Sequence, residues 1–117
     1  MLARTGSLRR TLFRPKRRRA TTAVERRHLD RVAAMGCLVC GQPSTVHHVT
    51  SDGHQRLTRT HERVVPLCPT HHMIQFGSHE SVEALGHAGF EREYGINLLT
   101  AADVLWARSE KAEVRHG

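Results

Sequence analysis

A chain of 117 residues with 18 Lys and Arg, 11 Asp and Glu, a net charge of +7 and ten histidines has room for one domain and a modest core. Hydrophobic residues make up 38% of it and aromatics 4%, so staples beyond packing are expected. No apolar run approaches the roughly 18 residues of a membrane-spanning helix, and the arginine-rich start has too little apolar sequence for a secretory signal, so a soluble, cytoplasmic protein with no membrane partner is expected.

The charge is uneven: residues 1–27 hold ten of the bases and one acid, Glu25, while the remainder is close to neutral. Residues 1–21 lack apolar periodicity and read as a disordered basic arm. Within it Arg9, Arg10, Arg14, Lys16, Arg17, Arg18 and Arg19 would neutralise nucleic-acid phosphates with salt-sensitive, largely sequence-independent affinity. A solubilising or targeting tail is the plainer reading of the same charges. One domain over 22–117 follows, with its core at about 37–80 and C-terminal helices over 81–114.

Val24, Leu29, Val32 and Ala33 recur at helical spacing and Gly36 supplies a stop, which predicts a helix over 22–35. The β-branched segment 45–50 predicts a strand and 51–62 a polar loop around Gly53. A second short strand is expected over 63–67, with Pro66 confining it to an edge or exit position. Pro69 opens a helix ended by Gly77, short helices follow over 81–85 and 90–94, and Thr100 with Asp103 reads as a capping box for a last amphipathic helix. These elements make an α+β fold.

Cys37 and Cys40, then 27 residues, then Cys68 and His71 form two knuckles with the same two-residue gap. Three thiolates and one imidazole satisfy tetrahedral zinc, and this paired spacing is not what incidental buried cysteines would show. A structural Zn2+ would tie the hairpin shut and offset the thin core. The other histidines need a separate account. Neighbours in a strand point to opposite faces, so His47 and His48 are expected to differ in role. If the strands pair and the helix packs across them, His72 meets the strand histidines and a second ion with open positions becomes possible. Each histidine alone reads equally well as a surface or packing residue.

At these residues, Cys37-Leu38-Val39-Cys40, Val46-His47-His48-Val49 and Val64-Val65-Pro66-Leu67-Cys68-Pro69-Thr70-His71-His72, the chain resembles the HNH (ββα-metal) endonuclease superfamily. More narrowly, with Gly36, Gly41 and Glu91-Arg92-Glu93-Tyr94-Gly95, it resembles phage recombination-enhancement nucleases, which work with a recombinase filament. The resemblance implies DNA as partner and a small ββα-metal core with a Cys3His zinc knuckle and flanking helices. It also implies a phage-infected or bacterial cytoplasm and DNA recombination or processing. It makes His47 the first ligand of a catalytic divalent ion (Mg2+, Mn2+, Ni2+ or Zn2+), His48 the general base and His72 the helix ligand. His61 takes the place of the family's middle Asn or Asp. Phe76 stands where a last helix histidine often lies, and His79 is the nearest substitute. Arg56, Arg59 and Arg63 would grip backbone phosphates, or serve only as solvated loop charges. A non-catalytic zinc-knuckle DNA-binding protein and an adaptor for an acidic partner are the competing readings.

Overall fold

The computed structural model describes residues 20–50 and 60–116. The basic arm up to Arg19 and the loop arginines Arg56 and Arg59 lie outside the described residues. Helix α1 spans Ala23–Ala34. It is started by a capping box in which the Glu25 amide donates to the Thr22 hydroxyl (3.1 Å) and the Thr22 amide donates to the Glu25 carboxylate (2.9 Å), so two otherwise orphaned amides are satisfied. Its buried face is Glu25, His28 and Val32, the i, i+3, i+7 stripe of an amphipathic helix. Gly36 then takes φ 85°, and a Cβ there would sit 3.0 Å from the Gly41 carbonyl oxygen, so the turn into the first knuckle requires glycine.

Strand β1, Thr45–His48, pairs antiparallel with β2, Val64–Leu67, with His47 opposite Val65 and His48 opposite Val64. Val49 continues the pairing by donating to the Arg63 carbonyl (2.9 Å). All four β2 residues are buried, while β1 is partly exposed. Pro66 fits because the sheet has two strands and its ladder partners are few; its carbonyl accepts from the Leu38 amide (3.0 Å), which ties the first knuckle to the sheet. Helix α2 is one turn, Pro69–His72, shorter than the expected 69–76, because Met73 leaves the helical region at φ −110°, ψ 133°. The following turn folds back so tightly that a Cβ on Gly77 would lie 1.9 Å from the Thr70 carbonyl oxygen.

Helix α3, Val82–Tyr94, is broken at Gly86 (φ 74°, ψ 168°) and closed by Gly95 in the left-handed region. The break falls where the sequence placed one, but helical structure resumes at once rather than at residue 90. Helix α4, Leu98–His116, begins before Thr100: the Thr100 amide donates to the Asn97 side-chain oxygen (3.0 Å), so Asn97 caps and Thr100 lies inside the first turn. The core gathers Val32, Val49, Val64, Val65, Leu67, Val82, Phe90, Leu98, Ala102 and Leu105 around β2. Helices α1 and α4 pack through a buried polar pair, His28 Nδ1 and Ser109 Oγ (2.6 Å), with Trp106 edge-on to His28. At their ends Glu113 accepts from Arg27 and Arg31. Among the described residues, no helix is long and apolar enough to cross a membrane.

Candidate metal centres

The two knuckles meet. Cys37 and Cys40 flank a tight turn, Cys68 stands at the N-terminus of α2, and His71 lies one turn on. Their four ligand atoms all lie within 4.8 Å of one another. Cys40 Sγ is 3.6 Å from Cys68 Sγ, and His71 Nδ1 is 3.6 Å from Cys37 Sγ and 3.2 Å from Cys68 Sγ. Tetrahedral zinc with Zn–S of about 2.3 Å and Zn–N of about 2.0–2.1 Å needs edges of about 3.8 Å (S···S) and about 3.6 Å (S···N), so the set fits that ion. Burial pushes the Cys37 thiol up, but the amides of Cys68, Cys40 and Val39 outweigh it and hold the group below its ordinary value, which favours the ligating thiolate. Tyr94 packs edge-on to His71, with ring centres 5.5 Å apart, and anchors its hydroxyl on the Glu80 carbonyl. The chain is therefore a small α+β protein with a two-stranded sheet and a Cys3His group able to hold a metal.

A second group is made of imidazoles. His47, on β1, stands edge-on to His72 of α2 (ring centres 4.8 Å) and to His87 of α3 (5.8 Å). Three buried side-chain nitrogens among the described residues lack a hydrogen-bond partner: one each on His28, Arg31 and His47. Of these, His47 is the one bordered by two further imidazoles and a cavity. That cavity, about 540 Å³, is lined by His47 and His87 with Thr50, Val82, Glu83 and Gly86. The pKa of His47 is pushed down to about 3, first by burial and then by His72, His87 and His48; burial also lowers His72 and His87. These rings are neutral at pH 7, the form that ligates metals.

The tautomer of His72 follows from its neighbours. The Thr45 hydroxyl donates its one proton to the Leu67 carbonyl (3.1 Å), so in its 3.2 Å contact with His72 Nδ1 it must accept. Nδ1 therefore carries the hydrogen and Nε2 presents the lone pair, the arrangement in which a neighbouring acceptor orients a ligating imidazole.

His48, one residue along the strand, has different company. Its Nε2 lies 3.1 Å from His61 Nδ1, and His61 Nε2 lies 3.3 Å from the Thr21 hydroxyl. Thr21, assigned by sequence to the end of the arm, is thus held against a residue near the end of the 51–62 loop. The structure accordingly brings His47 to His72 and sets His48 against His61. His79 is exposed in the turn before α3, with no hydrogen bond or ring contact to these groups among the described residues, and Arg63 is half-buried in the bend just before β2. His87 was missed by sequence reasoning; its signal was a glycine directly before a histidine inside a helical stretch.

No family model matches this chain, and neither a curated protein nor a solved structure is similar enough to count as a match.

Proposed function

We propose that this protein is a metal-dependent DNA endonuclease of the HNH (ββα-metal) type. The observation that carries the reading is the meeting of His47, with its buried and unpartnered Nε2, and His72, whose Thr45 contact leaves Nε2 as the lone-pair nitrogen, beside a cavity. His47 and His72 would hold a divalent ion, Mg2+, Mn2+, Ni2+ or Zn2+, whose chemistry when bound is to stabilise negative charge on a phosphodiester and on its departing 3′ oxygen. His48 acts as the general base: its imidazole takes a proton from water as the water oxygen bonds to phosphorus and the P–O3′ bond breaks, leaving a 5′ phosphate. His61, itself braced by Thr21, fixes the plane of His48 and can share the proton taken up. The basic arm, with Arg63 beside the hairpin, supplies sequence-independent affinity for the DNA backbone. A phage-infected bacterial cytoplasm, with a recombinase filament as partner, is the setting the resemblance implies.

Nicking of supercoiled plasmid by the purified full chain in each of the four ions tests the assignment. Wild type is expected to cut in at least one, and His48→Ala to lose about 10²–10⁴-fold. Undiminished cutting by His48→Ala would remove His48 from its role. Salt-sensitive DNA binding by a wild type that cuts with none of the four ions would instead identify a zinc-knuckle binding module. Deleting residues 1–20 should weaken DNA affinity and flatten its salt dependence.

A further inference from the structure

We propose that Cys40 is a modification site for hydroperoxides: its sulfur is oxidised first, Cys68 then closes a disulfide with it, and the zinc of the Cys3His group leaves. The inference rests on that group holding zinc and is independent of the nuclease reading.

Access is the first support. Of the four donor residues, Cys37 and Cys68 are buried, His71 is half-buried and Cys40 alone is exposed. Tyr94 packs against the His71 ring, whereas Cys40 is followed by Gly41, Gln42 and Pro43, all exposed. A Cβ on Gly41 would meet nothing within 4 Å, so a small oxidant has an open approach on the Cys40 side of the cage. Zinc ligation keeps the sulfur ionised, and the thiolate is the form that attacks peroxide.

A nearby second thiol is the other support. Cys68 Sγ lies 3.6 Å from Cys40 Sγ, and an exposed reactive thiol beside a resolving cysteine is the arrangement that favours disulfide over further oxidation. Cys37 is the poorer partner, because its buried sulfur already accepts the Val39 amide (3.4 Å). Cys40 and Cys68 also belong to different knuckles, so a bond between them would join the same two segments that the ion joins.

The chemistry balances with a hydroperoxide as the oxidant. The Cys40 thiolate attacks the outer peroxide oxygen; the S–O bond forms, the O–O bond breaks, and the leaving oxygen takes a proton from water. The Cys68 thiolate then attacks the Cys40 sulfur; the S–S bond forms, the S–O bond breaks, and hydroxide leaves to be protonated to water. Two thiolates have lost two electrons in all, and the peroxide has gained them. Cys37 and His71 remain, half of the tetrahedral set zinc requires.

The test uses the zinc-loaded full-length wild type throughout, since a serine anywhere in the cage removes a zinc ligand. Hydrogen peroxide is added in the presence of a colorimetric zinc chelator, and free thiols are then alkylated for tandem mass spectrometry. One zinc per chain should be released, the chain should lose about 2 Da relative to its reduced metal-free form, and the cross-link should join Cys40 to Cys68 with Cys37 alkylated. Reductant with added zinc should reverse all three changes. In a second measurement, brief exposure of the unoxidised zinc form to iodoacetamide should label Cys40 at least about tenfold faster than Cys37 or Cys68. Zinc held firmly at a dose that oxidises free cysteine would overturn the proposal. So would release with Cys37 in the cross-link, release with no cross-link, or first labelling at Cys37 or Cys68.

Discussion

His71 and His72 are adjacent on a single turn of helix, yet they belong to centres of opposite character. One residue of α-helix rotates a side chain by about 100°; that rotation sends His71 to three thiols and His72 to His47 and Thr45. The first centre is closed, with four donors inside 4.8 Å and the knuckle amides turned toward sulfur. The second borders a cavity and keeps a buried nitrogen unpaired. A set of ligands that satisfies itself around an ion holds a small domain together. A set left incomplete subtracts from stability and is available for binding.

The largest effect that would sharpen this contrast is expected from Cys68→Ser. Structural zinc contributes on the order of 10–16 kcal/mol in small knuckles, so the variant should lose its bound zinc and its cooperative melt by circular dichroism. An unchanged melting temperature would mean that the thiol cage is not the staple. Gly77→Ala comes next. Its methyl group would fall on the Thr70 carbonyl, displacing the one helix that serves both centres, at a cost of about 3 kcal/mol or more. Zinc retention and second-ion uptake should both suffer, and a loss confined to one would show that the centres do not share α2 as their support.

His47→Leu should behave in the opposite sense. Removing an unpaired buried nitrogen while filling similar volume is expected to leave stability unchanged or raise it by about 1 kcal/mol, with zinc retained and second-ion binding and DNA cleavage lost. A marked drop in urea midpoint would show His47 to be an ordinary packing residue and erase the contrast.

His28, fully buried but outside both centres, separates burial from ligation. Its pKa is lowered, by burial first and then by the Arg31 charge, so the folded protein holds it neutral while the unfolded chain protonates near 6.5. The stability this confers is complete above pH 6.5 and declines as pH falls toward the folded value, by at most about 1.4 kcal/mol per pH unit. Stability measured between about pH 7.5 and 5.5 should therefore fall less steeply in His28→Gln than in wild type; identical slopes would refute the shift.

Glu113→Gln should have the smallest effect. Bonds from Arg27 and Arg31 hold the Glu113 carboxylate at about 2, so its contribution is present above about pH 4.5 and lost as pH falls through about 2. At neutral pH the variant should melt slightly earlier with both centres intact. That difference should shrink in about 1 M salt, because exposed pairs are screened.

Much of this was legible in the residues themselves. The paired two-residue gaps made Cys37, Cys40, Cys68 and His71 a ligand set, and β-branched segments marked both strands of the hairpin. Strand alternation separated His47 from His48. Boundaries were less legible where a local competitor acted. Asn97 displaced Thr100 as the cap, and Met73 ended α2 early because the chain folds back on Thr70 at a glycine chosen for space rather than for helix termination.

Spacing along the chain alone determined which donors share a knuckle, because a two-residue gap confines them whatever surrounds them. The company of His47 depended on tertiary packing, which brings together three elements far apart in sequence: the strand, the single-turn helix and the far side of the break at Gly86. No periodicity encodes that meeting, since it depends on how α3 crosses the sheet. Burial against those elements also removed water from the Nε2 of His47, and no pattern of residues specifies that removal until the fold has closed.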